Sequence, residues 1–104
     1  MTNFEAISAD IYPYDVSAGL IEKACLDNDV EPAKDYDKLQ KKNIAMSVIS
    51  ILRKLISLNS ESNGGYALSY DTDKLKQRIH SIAKENGLAD IAEEFDMRPK
   101  VKFL

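Results

Sequence analysis

No stretch of this chain approaches the roughly 18 uncharged apolar residues that a membrane span requires, which excludes the helical transmembrane classes. Cysteine is as scarce. The single Cys25 has no internal disulfide partner, so the sequence reads as an intracellular chain and not a disulfide-stapled secreted scaffold. The first residues, Met1-Thr2-Asn3-Phe4-Glu5, offer neither a basic n-region nor an apolar h-region, and no secretory signal is expected. There is one histidine, His80, and no nucleophile or orienting partner is patterned around it, so general acid–base catalysis lacks its components.

What is present suits a small globular domain. The 104 residues allow one modest core, and 44% apolar with 30% charged residues fit a folded chain better than a disordered one. The net charge of −3 argues against a nucleic-acid binder. Its distribution is uneven. Residues 1–37 hold nine acidic and two basic side chains, whereas residues 38–58 hold five basic ones and no acid. The simplest expectation is internal complementarity, with the acidic N-terminal third lying beside the basic start of a central helix. The alternative is a basic strip, Lys38, Lys41, Lys42, Arg53 and Lys54, that faces an acidic partner or phosphate. No recognition-helix motif or interleaved aromatics accompany that strip, so a solvated face is favoured over a nucleic-acid surface.

Periodicity predicts a helical protein. A short first helix is expected over Asn3 to Ala9, followed by a turn at Asp10-Ile11-Tyr12-Pro13-Tyr14-Asp15, where Pro13 disfavours helix at Tyr12. Asp15 or Ser17 caps a second helix with its stripe at Val16, Leu20, Ile21, Ala24 and Cys25, fading near Asn28. Pro32 breaks the connection that follows. Asp35 is the expected cap of a long third helix running to about Leu58. Its stripe is Tyr36, Leu39, Ile44, Ala45, Val48, Ile51, Leu52, Leu55 and Leu58, with Met46, Ile49 and Ile56 on a second apolar side. Asp71 or Thr72 caps a fourth helix with Leu75, Ile79, Ile82 and Ala83 inward, and Asn86-Gly87 ends it. Leu88, Ile91, Ala92 and Phe95 mark a last short helix. Between the third and fourth helices lies Leu58-Asn59-Ser60-Glu61-Ser62-Asn63-Gly64-Gly65-Tyr66-Ala67-Leu68-Ser69-Tyr70, read as a projecting Gly-Gly loop with a short alternating segment. The tail 97–104 also alternates, with Met97, Pro99, Val101 and Phe103 on one side and Arg98, Lys100 and Lys102 on the other. It reads as an extended arm, lying on its own domain or on a partner. The expected fold is therefore all-α: a single domain, residues 1–104, formed by a small bundle around one long central helix, with a core over about 10–95 and a C-terminal arm at 96–104.

Candidate chemistry fails on inspection. Asp27-Asn28-Asp29-Val30-Glu31 starts like a calcium loop, but Pro32 stands where glycine is needed and Lys38 where a bidentate Glu is needed. Gly64-Gly65 lacks the spacing of a phosphate cradle. Asp71-Thr72-Asp73 is explained by capping, and Cys25 is a small core residue. Catalytic, cofactor and metal residues are accordingly expected to be none.

The element order is informative: a tyrosine-rich turn, a helix with Leu20-Ile21-Glu22-Lys23-Ala24, a long helix with Ile44-Ala45 and Ile51-Leu52, the Ser60-x-Ser62-x-Gly64-Gly65 segment, and a helix ending in Glu85-Asn86-Gly87-Leu88. Over roughly residues 10–90 this resembles the small α-helical head–tail connector (adaptor) proteins of tailed phages and prophages. The resemblance implies an all-α, non-enzymatic subunit that assembles with about a dozen copies of itself into a ring and meets portal or tail proteins. It implies no enzyme activity and no cofactor, and no small-molecule substrate is expected; the lack of a long apolar run argues against a membrane partner, and the charge balance against nucleic acid. The location would be the cytoplasm of a bacterial host, then the virion. The chain departs from the commoner pattern in its reduced first helix and its basic, alternating tail. Contacts are expected from Asn63, Gly64, Gly65, Tyr66, Leu68 and Tyr70 of the loop and from Arg98, Val101 and Phe103 of the tail. The competing reading is a small helical interaction module outside any virion, such as a regulatory or antitoxin-like subunit.

Overall fold

The structure, a computed structural model, describes residues 1–61 and 71–96. Its first helix, α1 (Asn3–Ile11), starts at a capping box. The Thr2 hydroxyl accepts from the Glu5 N–H at 3.1 Å, and the Glu5 carboxylate accepts from the Thr2 N–H at 2.9 Å. Two further free N–H groups of that first turn are taken up by the chain connecting the next two helices: Asn3 donates to Lys34 O at 2.8 Å and Phe4 to Pro32 O at 3.0 Å. The Asn3 side chain, buried, donates to Glu31 O at 2.9 Å, and the Tyr36 N–H reaches Met1 O at 2.8 Å. Asn3, Ile7 and Ile11, spaced by four, form the buried stripe of α1, with Ala6 beside them.

Helix α2 (Ala18–Asp27) takes Ser17, not Asp15, as its cap. It buries Ile21, Ala24 and Cys25 and ends in a Schellman motif: Val30 N–H donates to Cys25 O at 2.8 Å, with Asp29 at φ 59°. Val30, itself buried, closes the turn against the core.

Helix α3 (Lys41–Glu61) begins later than its sequence suggests. Asp35 is not its cap; it forms an isolated bridge with Thr2. Asp37 instead caps a single 3-10 turn, Lys38–Gln40, by accepting from the Leu39 N–H at 3.0 Å. Tyr36 and Leu39 therefore lie outside the helical register. They are exposed, Leu39 at 89%, where the periodic reading put them in the core. Met46, expected on a second apolar side, is also exposed, while Ile49 is buried and Ile56 half-buried. Ile44, Ala45, Val48, Ile51, Leu52 and Leu55 are buried as expected. Their wide arc follows from three neighbours, since α1, α2 and α4 all pack on α3.

Helix α4 (Thr72–Glu85) is capped by Asp71, whose carboxylate accepts from Asp73 and Lys74 N–H. Leu75, Ile79, Ile82 and Ala83 point inward. A second Schellman motif ends it, with Leu88 N–H donating to Ala83 O at 2.9 Å and Gly87 at φ 67°. Helix α5 (Ala89–Glu94) then packs on α4. The His80 Nδ1 donates to Ala92 O at 2.8 Å across that contact.

The described chain is thus mostly helical. It holds five α-helices and no strand among the described residues, gathered on one apolar core. Lys41, Ile44 and Ala45 share a cleft with Ile82, Glu85 and Asn86, so the first turns of α3 meet the last turn of α4 and the two run antiparallel. Lys42 lies with Leu88 and Asp90, and Arg53 with Glu94, so α5 runs in the same direction as α3.

Candidate interaction surface

The titratable side chains that carry chemistry elsewhere are here committed to structure. Cys25 is buried, and that burial pushes its thiol pKa up, away from the reactive thiolate. His80 holds α5 to α4, as above. No group of three or more His, Cys, Asp or Glu side chains comes together among the described residues.

The central basic set divides in two. Arg53 grips Glu94 with both guanidinium nitrogens, at 2.6 and 2.9 Å, and stacks over the Phe95 ring at 4.8 Å. This bidentate bond holds the Glu94 carboxyl below its ordinary pKa and raises that of Arg53. Lys54 lines a shallow groove between α2 and α3 with Leu20, Ala24 and Ile51. Lys38, Lys41 and Lys42 are exposed, and none has a carboxylate within 4.0 Å among the described residues. The expected pairing of the acidic N-terminal third with these lysines is therefore not made by direct ion pairs. The acids of that third stay on the surface: Lys23 bonds Asp27 within α2 at 2.6 Å, while Glu22, Asp29 and Glu31 remain exposed. The basic set is no continuous strip, since Arg53 is spent on α5.

Between α1 and α4, Arg78 donates to Asp10 O at 3.2 Å. Desolvation around the Asp10 carboxyl raises its pKa; the Arg78 charge opposes this and the Glu85 charge adds to it. Ser8, Ile11, Val16 and Ile21 line a hollow beside Tyr12-Pro13-Tyr14, where Tyr12 is 81% exposed and Tyr14 is half-buried against the core.

The residues expected to make contacts, Asn63, Gly64, Gly65, Tyr66, Leu68, Tyr70, Arg98, Val101 and Phe103, lie outside the described residues. So do the Gly-Gly loop and the extended tail. What sequence reasoning missed lies elsewhere: Leu26 and Leu39, at 72% and 89% exposure, are large apolar side chains left on the surface. The signal for Leu26 is present in the sequence, as it falls off the stripe formed by Ile21, Ala24 and Cys25.

A model described as a family of unknown function (DUF6706) matches residues 1–103, and the chain belongs to that family. No curated protein and no solved structure matches it.

Proposed function

We propose that this member of the DUF6706 family is a non-enzymatic structural subunit of a head–tail connector ring of a tailed phage or prophage, assembling with copies of itself and with portal or tail proteins. The reading rests on the resemblance in element order and the Ser60-to-Gly65 segment. One observation carries it further. Because α4 runs against α3 and α5 runs with it, the chain leaves the described bundle at Glu61, re-enters at Asp71 and leaves again after Asp96, all toward the same half of the molecule. Arg53, beside Glu94 and Phe95, is eight residues before Glu61, or about 12 Å along a helix. The described residues that flank the loop and precede the arm, Glu61, Asp71 and Asp96, thus lie toward one half of the bundle, which supports a shared contact region there. The finer architecture, a long central helix carrying a Gly-Gly loop and an extended arm, belongs to the same proposal. So does a location in the bacterial cytoplasm and then the virion.

Native mass spectrometry across a concentration series tests it. A discrete species of about a dozen subunits with few intermediates is expected, the signature of a heterologous interface that closes. A monomer or dimer at every concentration overturns the self-assembling ring. A defined low-order complex with one partner would make the chain a helical interaction module outside a virion.

A further inference from the structure

Two exposed stripes on this chain each carry a leucine, with charges of opposite sign beside it. On α2, Glu22 and Leu26 are one turn apart on the outward face, and both are exposed. Asp29 follows at the end of that helix, exposed, with its N–H on Leu26 O at 3.4 Å. Neither Glu22 nor Asp29 has a cation within 4.0 Å among the described residues; the one basic side chain of α2, Lys23, is held by Asp27. The second stripe starts on the 3-10 turn. Lys38 and Lys42 flank Leu39, all three exposed, and Lys42 borders the half-buried Leu88 and Ile91. Two acids lie near. The Asp37 carboxylate is engaged as the cap of the turn, and Asp90 shares the cleft with Lys42 without pairing to it.

A lone exposed leucine needs no explanation. Two of them, each flanked by unpaired charges of one sign and the signs opposite, are a different matter. Their exposures of 72% and 89% show that they do not meet within one chain. We propose that the Glu22–Leu26–Asp29 stripe of one copy docks on the Lys38–Leu39–Lys42 stripe of the next, a head-to-tail contact between copies of this chain. The occupant of each stripe is a second copy because the complement of each is on the chain itself. Such a contact is heterologous, so it propagates from copy to copy until it closes. The leucines supply the desolvated anchor, and the flanking charges set register and encounter rate. This inference names the subunit interface of the ring proposed above and rests on that reading.

The test uses the full chain in two charge-reversed forms: K38E/K42E, and E22K/D29K. Each alone sets like charges across the contact. Mixed in equal amounts, they restore opposite charges at every junction. By native mass spectrometry, each variant alone should need about tenfold or more protein to assemble than the wild type. The equimolar mixture should assemble at the wild-type concentration, with the two forms in equal number. Circular dichroism controls for folding, and the single change E22K replaces the double variant if Lys at the positive φ of residue 29 costs helicity. Leu39→Ser should weaken assembly without altering helicity. If the reversed forms assemble like the wild type, or if the mixture assembles no better than its components, these stripes are not the interface and the ring reading stands. If the wild type itself stays monomeric, both fall.

Discussion

Asp29 and Gly87 hold equivalent positions. Each follows the cap of its helix, each has positive φ, and each lets the next residue bond back to the helix. Only one of the two is glycine, and an L side chain in this conformation carries a steric cost. Asp29→Gly should therefore stabilise the fold by about 0.5–1 kcal/mol, and Gly87→Ala should destabilise it by about 1 kcal/mol, both read from urea denaturation midpoints. A Cβ at Gly87 would meet no heavy atom within 4 Å, so that cost is conformational and not a clash. Asp10 supplies a second prediction. Its carboxyl binds a proton more tightly in the folded chain than at its ordinary value of 3.8. Above the folded value, keeping it ionised works against folding. Below the unfolded value both states hold the proton and the penalty is gone. Asp10→Asn should raise Tm slightly at pH 7, and the difference from wild type should vanish as the pH falls below about 3.

At the scale of the element, stability comes from stripes and caps. Leu75 and Ile79 of α4 are both wholly buried, and truncating either to alanine should cost about 2–5 kcal/mol by chemical denaturation. Removing the Thr2 cap (Thr2→Ala) should cost about 1 kcal/mol. These elements were largely legible in the sequence. The cap at Asp71 or Thr72, of which the fold uses Asp71, the inward residues of α4 and the stop at Asn86-Gly87 are legible because each depends on neighbours within one or two turns. The start of α3 is not. Asp35 and Asp37 are equally good caps by type, and a tertiary contact, the pairing of Thr2 with Asp35, removed the first from use. The sequence pattern ends the first helix at Ala9, but the helix continues to Ile11, where the buried stripe ends. Leu39 escaped for the same reason. Periodicity assigned Leu39 to a helix that had not yet begun. The loop and tail residues named from the sequence lie outside the described residues, so the structure adds to the surface map and does not replace it.

For the whole molecule, the feature with the widest reach is the way α1 opens. Its first amides bond to the carbonyls of residues 32 and 34, and Met1 O receives the Tyr36 amide. Segments some thirty positions apart thus share one set of bonds, and the amides of Asn3, Phe4 and Tyr36 should exchange with deuterium as a single cooperative group. Thr2→Ala should speed all three together; independent rates would show that the joint does not open as a unit. The same joint bears on how the protein is handled. Met1 is 70% exposed and lies beside Tyr36, three residues before Leu39. A purification tag fused at that point would crowd the turn that presents Leu39. Self-association measured on such a fusion would report partly on the tag, and cleaving the tag should shift the assembly concentration downward.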